Sequence, residues 1–325
     1  MLTDDSLLRA GIALRFDDRR ARYDIEPRRI EPSAANEPDP GLPLTNGNGP
    51  FLFVHVPKTA GSSVYSIFRT MLKPPELLKL HPDRETFVRI NRLPKRHILR
   101  LRVLYGHVDV QLARQVVPLR QCVTLLRDPV DRMVSYYAFA RYMDSGRHSE
   151  LARRVSITEW MDALRLPEMD NGMVRRFSGT GRGVAFGACT RQMLERAKAN
   201  LAQFALVGLT DRFDEFYALL AQGLRLPMRT YVAAKVNAHR PLVDHLDAYA
   251  RARLEQRNDL DRELYRFGEQ LFERRLSRSD LSAQIDEFRS RCCDRSMRVR
   301  DAARRIVFAR WKKLRRRWSR YPFLG

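Results

Sequence analysis

The residues best placed for chemistry form the stretch PKTAGSS, which lies between an apolar run and a helical pattern. Lys58 supplies a positive charge, and Gly61 allows another group to approach the backbone closely. Hydroxyls at Ser62 and Ser63 fall in the first helical turn. Because backbone N–H groups at a helix N-terminus attract anions, this order predicts an anion site, and one of the two serines can also cap the helix. On these residues alone, an ordinary strand-to-helix turn with a capping serine is the alternative.

A nucleotide kinase, or another P-loop phosphotransferase, is the first functional alternative. The pattern GxxxxGK[ST] is absent, because Lys58 precedes the glycine instead of following the loop. No strand that ends in an aspartate for Mg²⁺ is evident either. Both differences count against this class of enzyme.

A second strand-to-helix corner is predicted further along the chain, in LLRDPVDRMVSYY. Asp128 is a good N-cap and Pro129 a good first helical residue. Arg127 then lies at the same end of the sheet as the first corner, and with Ser135 it could hold a second phosphate group. In the alternative interpretation, Asp128 and Arg132 form an i,i+4 ion pair and Arg127 is only structural. Two anion-binding corners favour a ligand with two separate anionic groups.

The pattern of strand, turn and helix occurs three times, and it predicts an α/β fold with a central, mostly parallel sheet flanked by helices. The expected strands are FLFVHV (51–56), QCVTLL (121–126) and FALVGL (204–209). Further helices are expected at 151–165, 190–202, 246–276 and 280–290. The stretch FSGTGRGVAFGAC (177–189) contains four glycines and indicates a mobile loop or lid.

Composition divides the chain of 325 residues into three parts: an N-terminal extension with a Pro/Gly-rich linker at 1–50, a domain at 51–288, and a basic tail at 289–325. The formal net charge is +22, and the tail alone has 14 Arg and Lys against 2 acidic residues. Such a balance suggests polyanionic partners. A non-enzymatic polyanion-binding protein is therefore the second alternative, although the charge and its interleaved aromatic residues are concentrated in the tail. No specific nucleic acid is expected.

The tail also fits a basic amphipathic helix, with apolar side chains including Ile306, Val307, Leu314 and Trp318 along one side. Such a helix can lie on an anionic membrane surface, and a solvated basic tail is the equal alternative. The four cysteines, at 122, 189, 292 and 293, lack the spacing of a zinc site, and no metal is expected. The sequence contains neither an apparent signal peptide nor an 18-residue apolar stretch.

PKTAGSS followed by RDPVDRMVSYY closely resembles the sulfotransferases, in particular the family that includes the heparan sulfate and uronyl 2-O-sulfotransferases and their bacterial relatives. The resemblance continues through YGHVDV, DNGMVRRFSG, LVGLTDRFDEFYALL and NDLDRELYRFGEQLFERRL, so that it covers residues 50–277. It implies a P-loop-like fold and 3′-phosphoadenosine-5′-phosphosulfate (PAPS) as the sulfuryl donor.

The resemblance also implies a role for each corner. It assigns the 5′-phosphosulfate of PAPS to the first corner, at Lys58, Thr59, Gly61, Ser62 and Ser63. It assigns the 3′-phosphate to Arg127 and Ser135. Many relatives have Thr where Ser62 stands, which preserves a hydroxyl donor.

His107 is the candidate general base that the resemblance provides, since it matches the second histidine of an His-Gly-His motif in the glycosaminoglycan 2-O-sulfotransferases. Tyr105 replaces the first of those histidines, which leaves a supporting histidine in question. Asn171 and Arg175 match a family stretch of the form Asn-x-x-x-Arg, and contacts with nucleotide or acceptor are expected there.

The implied reaction is an in-line transfer to a hydroxyl of a carbohydrate or glycolipid. His107 would take the proton of the hydroxyl, and Lys58 would offset the charge on the departing phosphate. The Arg-rich composition and the lack of an animal-type anchor suggest a bacterial cytoplasmic enzyme, held at the inner face of the membrane by its tail.

Overall fold

The computed structural model describes residues 50–80, 100–143, 146–181, 183–229, 231 and 243–293. The N-terminal extension before Pro50 and the tail from residue 294 onward, with its proposed membrane helix, lie outside the described residues.

Five parallel strands form the central sheet. They are β1 (Phe51–Val54), β2 (Leu77–Leu80), β3 (Val103–Gly106), β4 (Cys122–Leu126) and β5 (Leu206–Leu209). Their order across the sheet is β2-β3-β1-β4-β5. The predicted α/β fold with a parallel sheet is confirmed, and here every strand pair is parallel.

Continuous apolar runs explain why β1, β4 and β5 were predictable. Every residue of these three strands is buried, as is usual for parallel sheets that carry helices on both faces. The strands β2 and β3 were not predicted as such, because β2 is a short, half-exposed edge strand and β3 follows a basic stretch. They extend the sheet on the side of β1 opposite to β4.

Eleven α-helices lie within the described residues. They are α1 (Gly61–Met71), α2 (Val110–Val116), α3 (Pro129–Met143), α4 (Arg147–Arg154), α5 (Ile157–Leu164), α6 (Gly172–Ser178), α7 (Arg191–Leu201), α8 (Phe213–Gly223), α9 (Ala248–Arg257), α10 (Asp259–Ser277) and α11 (Ser282–Cys293).

Two of the expected helices are each divided into two. The segment expected at 151–165 breaks at Ser156, whose hydroxyl accepts from the N–H of Glu159 while the Glu159 carboxylate accepts from the N–H of Ser156. This capping box starts a new helix, and its Ser-x-x-Glu pattern was readable in the sequence. The segment expected at 246–276 breaks at Asn258, between α9 and α10.

The core has two parts. The larger surrounds the sheet, and α11 extends it, since Phe288 is fully buried and its ring meets Tyr217 edge-on at 5.6 Å. The helix α11 therefore crosses the expected domain boundary at residue 288. A smaller core of helices packs around Trp160, which contacts Tyr136 and Tyr137 of α3. None of the helices within the described ranges is long and apolar enough to cross a membrane.

Candidate active site

The candidate site lies at the carboxyl ends of β1, β3 and β4. From β1 the chain runs to β2 and β3 on one side of the sheet and then to β4 on the other, so the strand order reverses at β1. In open parallel sheets this switch point is where ligands bind. Lys58 follows β1, His107 follows β3 and Arg127 follows β4, so the fold brings these predicted residues to one edge.

The predicted phosphate loop, residues 57–63, has a strained backbone. Lys58 and Ala60 hold left-handed φ angles of 69° and 59°, a conformation that costs about 1–2 kcal/mol for a residue other than glycine. Ala60 is the N-cap of α1 and no side chain caps this helix, so the prediction that Ser62 or Ser63 caps it was wrong. Both serines lie inside the helix, at its second and third positions.

The uncapped helix leaves backbone donors available at the loop. The N–H of Ser63 donates to Ala60 O at 2.8 Å, whereas the N–H groups of Gly61 and Ser62 have no protein acceptor among the described residues. Ser62 is half-buried and Ser63 is buried. The Thr59 side chain is fully buried, and its hydroxyl donates to Val56 O at 2.9 Å. Thr59 thus supports the turn through its hydroxyl, and because the whole residue is buried, its predicted contact with the donor stays a prediction.

The Lys58 side chain rests on an aromatic ring of α3. Its Nζ lies 3.9 Å from the ring centroid of Phe139, a cation–π contact. Ser135, which is half-buried, precedes Phe139 by one helical turn on the same face of α3. Lys58 and Ser135, both predicted to bind the donor, therefore lie at the same face of α3.

Arg127 joins the two corners of the site. Its guanidinium donates to Lys58 O at 2.8 Å and pairs with Asp131 at 2.5 Å. The carboxylate of Asp128 accepts from the N–H of Asp131 at 2.8 Å, which confirms Asp128 as the N-cap and Pro129 as the first residue of α3. Burial lowers the pKa of Arg127 to about 10, so the group stays charged at neutral pH.

The alternative ion pair between Asp128 and Arg132 does not form. Arg132 is fully buried and pairs instead with Glu168 and Asp261, both at 3.4 Å. The i,i+4 pair of this segment is Arg127 with Asp131.

His107 has the tautomer that a general base requires. Its Nδ1 lies 3.1 Å from the backbone oxygen of His55, and because a carbonyl only accepts, Nδ1 carries the proton. The Nε2 atom then has a free lone pair. Burial, and next the charge of Arg176, lower the pKa of His107 to about 4, although Glu168 acts in the opposite direction. The imidazole is therefore neutral at physiological pH.

A second imidazole, which sequence reasoning missed, packs against His107. The rings of His55 and His107 stack with centroids 3.9 Å apart. The Tyr105 hydroxyl lies 2.7 Å from Nδ1 of His55. Burial, followed by the charges of His107 and Arg176, lowers the pKa of His55 well below its ordinary value. Tyr105 stands where the His-Gly-His pattern has its first histidine, and His55, the residue directly after the neighbouring strand β1, supplies an imidazole beside His107 instead.

A network of charged side chains, part of it fully buried, lies behind His107. Arg176 donates to Val108 O at 3.1 Å and to Glu168 at 2.5 Å. Arg132 connects Glu168 to Asp261, whose carboxylate accepts from two N–H groups of α6 and so caps that helix. Burial acts to raise the pKa of Glu168, but Arg176 and Arg132 hold it below its usual value. The Glu168 carboxylate is therefore an anion near His107.

Asn171 and Arg175 are both committed to protein contacts. Asn171 is buried in a left-handed turn, and its side-chain oxygen accepts from the N–H of Asp261 at 2.9 Å. Arg175 pairs with Asp170 and donates to the backbone oxygens of Val184 and Ala185. These bonds anchor the stretch expected to be a lid. The contacts with nucleotide or acceptor expected of the two residues stay predictions.

Only some of the residues that sequence reasoning missed left a signal. His55 is a polar residue at the end of a buried apolar run, which is where α/β folds bind ligands. Phe139 and Glu168 left none beyond composition, because their roles arise from contacts between distant segments, while Arg176 stood out only as an extra basic residue beside Arg175. Within the described residues, no group of three or more His, Cys, Asp or Glu is arranged to hold a metal ion.

Comparison with known proteins agrees with this geometry. A model of the sulfotransferase family matches residues 44–268, which includes both corners and His107. The chain is also 26% identical over 199 residues to a protein of Drosophila melanogaster named heparin sulfate O-sulfotransferase. That match covers 53% of this chain and 55% of the relative, so the chain spans about half the length of the curated relative. The protein belongs to the sulfotransferase family.

Proposed function

We propose that the protein transfers the sulfuryl group of PAPS to a hydroxyl of a carbohydrate or glycolipid acceptor. The observation that carries the proposal is the position of His107, a neutral imidazole with a free Nε2 at the edge that also holds Lys58 and Arg127. A base is needed because a sugar hydroxyl is a poor nucleophile at neutral pH. The name of the Drosophila relative supports a carbohydrate as the acceptor.

The residues of the phosphate loop fit the anionic end of such a donor. PAPS supplies a sulfuryl group that is activated by its bond to the phosphate of adenosine 3′,5′-bisphosphate. The free N–H groups of Gly61 and Ser62 and the hydroxyls of Ser62 and Ser63 are donors for its phosphate and sulfonyl oxygens. Arg127 and Ser135 are the residues for the 3′-phosphate.

His107 performs the proton transfer. Its Nε2 accepts the proton of the acceptor hydroxyl as the oxygen attacks sulfur, and the bond from sulfur to the bridging oxygen breaks in the same step. The imidazolium that forms is half-buried, and the carboxylate of Glu168 offsets its charge while Arg176 holds that carboxylate. The proton leaves His107 to solvent after the product departs.

Lys58 stabilises the leaving group. Its ammonium must leave the ring of Phe139 to contact the bridging oxygen on which negative charge develops. A cation–π contact at a half-buried site is worth only about 0.5–2 kcal/mol. A charge-assisted hydrogen bond to phosphate of about 1.5–3 kcal/mol offsets its loss.

The test is turnover of PAPS against a panel of glycans and glycolipids, with detection of the sulfated product by mass spectrometry. We expect transfer without added Mg²⁺ and no turnover of ATP, which separates this reaction from that of a kinase. His107→Ala should abolish transfer and preserve affinity for adenosine 3′,5′-bisphosphate. The matched control is His245→Ala, because His245 is exposed and far along the chain from the site. Full transfer by His107→Ala would exclude His107 as the base.

The basic tail leads to a separate proposal on location. Its composition supports attachment to an anionic membrane surface, which would place a bacterial cytoplasmic enzyme at the inner face of the membrane. Flotation with vesicles that contain anionic lipid should recover the full chain and lose it when residues 294–325 are removed. Equal flotation of both would refute the attachment.

A further inference from the structure

His55 touches both working parts of the proposed site. One face of its imidazole stacks on His107 at 3.9 Å between centroids. Its ring edge packs on Gly61, since a Cβ at Gly61 would fall 2.0 Å from Nε2 of His55. The backbone oxygen of His55 also accepts from Nδ1 of His107. One residue therefore contacts the candidate base through both its ring and its backbone, and the phosphate loop through its ring edge.

The orientation of the His55 ring is fixed by Tyr105. The Tyr105 hydroxyl is buried, and it lies 2.7 Å from Nδ1 of His55 with no other acceptor among the described residues. Burial raises the pKa of Tyr105 well above its usual value, so its hydroxyl is protonated and donates to Nδ1. The ring of Tyr105 in turn stacks on that of Phe53, with the ring centroids 5.4 Å and the ring planes 4° apart. Because Phe53 and Tyr105 belong to β1 and β3, the sheet holds this stack in place.

We propose that His55 is a positioning residue for the transfer reaction: its neutral ring is a spacer that sets the distance between His107 and the phosphate loop and keeps water away from His107. This inference rests on the proposed function, in which His107 is the base. It assigns the supporting imidazole of the site to His55, directly after β1, because Tyr105 of β3 replaces the first histidine of the His-Gly-His pattern. A ring of similar size without nitrogens should serve nearly as well, whereas loss of the ring should not.

The charged and titratable groups around the pair come from several elements, and any test must keep them constant. Those facing His107 are His55, Lys79 of β2, Glu168 and Arg176, and His55 additionally faces Lys58 and Tyr105. None of these except His55 and Tyr105 is changed in the variants below.

The test compares His55→Ala with the double variant His55→Phe/Tyr105→Phe. The alanine removes the spacer, which admits water and should raise the pKa of His107 by about one unit or more, because desolvation is the main cause of its depression. The double variant keeps both rings and removes the polar atoms that would otherwise be left unpaired. It should keep the pKa of His107 close to that of the wild type.

The primary readout is titration of the imidazole C–H signals by NMR, with the His107 signal identified by its absence in His107→Gln. It needs no turnover, so it can fail or succeed independently of the proposed function. In assays, kcat should fall about tenfold or more in His55→Ala, because displacement of a general base from its working position lowers the rate by at least about this factor. In the double variant kcat should fall only a few-fold. An unchanged His107 pKa in His55→Ala, or equal damage in both variants, would overturn the positioning role. Absence of any sulfated product from the wild type would instead count against the proposed function.

Discussion

The guanidinium of Arg127 donates a hydrogen bond to the backbone oxygen of Lys58 at 2.8 Å, across a sequence separation of 69 residues. This bond ties the corner after β4 to the strained turn after β1, where Lys58 holds a φ of 69°. Strained backbone persists only where surrounding structure holds it. Arg127 thus belongs to the predicted 3′-phosphate corner and also holds the backbone of the predicted 5′-phosphosulfate corner.

Arg127→Lys should therefore weaken both corners even though it keeps the positive charge. Arg127 bonds Asp131 and Lys58 O from two different nitrogens of its planar fork, whereas a lysine has a single nitrogen and cannot occupy both positions. Loss of one such charge-assisted bond corresponds to about 1.5–3 kcal/mol. We expect affinity for adenosine 3′,5′-bisphosphate to fall at least about tenfold on that basis, measured by calorimetry. Arg120→Lys, at an exposed position, is the control, and an unchanged affinity in Arg127→Lys would contradict the role.

Gly61→Ala should damage the site through a steric clash with His55. The added Cβ would meet three atoms of the imidazole at 2.0 to 2.6 Å, and the ring cannot yield because His107 stacks on its face. Overpacking of this kind costs about 1–3 kcal/mol in the free energy of unfolding. We expect that loss in urea unfolding, with a larger effect on kcat/KM. Ser66→Ala, on the exposed side of the same helix, should change neither quantity, and wild-type kcat/KM in Gly61→Ala would refute the contact.

The dependence of kcat/KM on pH should reflect the lowered pKa of His107. Because its pKa is lowered from 6.5 to about 4, the base is already neutral well below pH 6. The profile of kcat/KM, which reports the free enzyme, should therefore lose activity on the acid side only below pH 6, with no inflection near the ordinary histidine value. An acid limb centred at pH 6.5 would show that His107 is solvated or that another group is the base.

The lowered pKa of His107 should also make the free energy of unfolding depend on pH. Between pH 6.5 and about 4 the unfolded chain binds a proton at residue 107 and the folded chain does not. The free energy of unfolding therefore rises with pH across this window and levels off above it. Asp261, with a pKa raised to about 6 by burial, contributes the opposite slope, but it is common to the wild type and to His107→Gln. Urea unfolding over this range should show a smaller rise in His107→Gln, and identical slopes would argue against the lowered pKa.

Arg132→Met should strongly lower the free energy of unfolding. Arg132 and Asp261 are both fully buried, and loss of the cation leaves the Asp261 carboxylate without its counter-ion. Breaking a buried pair from one side costs about 3–5 kcal/mol. The matched control is Arg191→Met, which breaks an exposed pair with Glu263 and should cost at most about 1 kcal/mol. Chemical denaturation of the two variants measures the difference, and equal costs would mean that the buried network contributes little.

Much of the fold could be predicted because its main strands are continuous apolar runs followed by helix-start signals. The apolar run at β4 and the Asp128-Pro129 pair are local features, and the helix begins where they indicate. Errors arose where local signals were ambiguous. The serines of PKTAGSS could cap a helix, but the left-handed Ala60 starts α1 two residues earlier than a Ser62 cap would.

The sequence by itself determined the residues and the order of the two corners at which anions are predicted to bind, since each corner depends on residues that are neighbours in the chain. Only the tertiary structure decided how these corners are joined and supported. The His55–His107 stack, the Arg127 bond to Lys58, and the Glu168–Arg176 pair behind the base all connect different elements. Tertiary structure likewise directed Arg175 into protein contacts and its neighbour Arg176 toward His107, because adjacent residues of a helix face different directions.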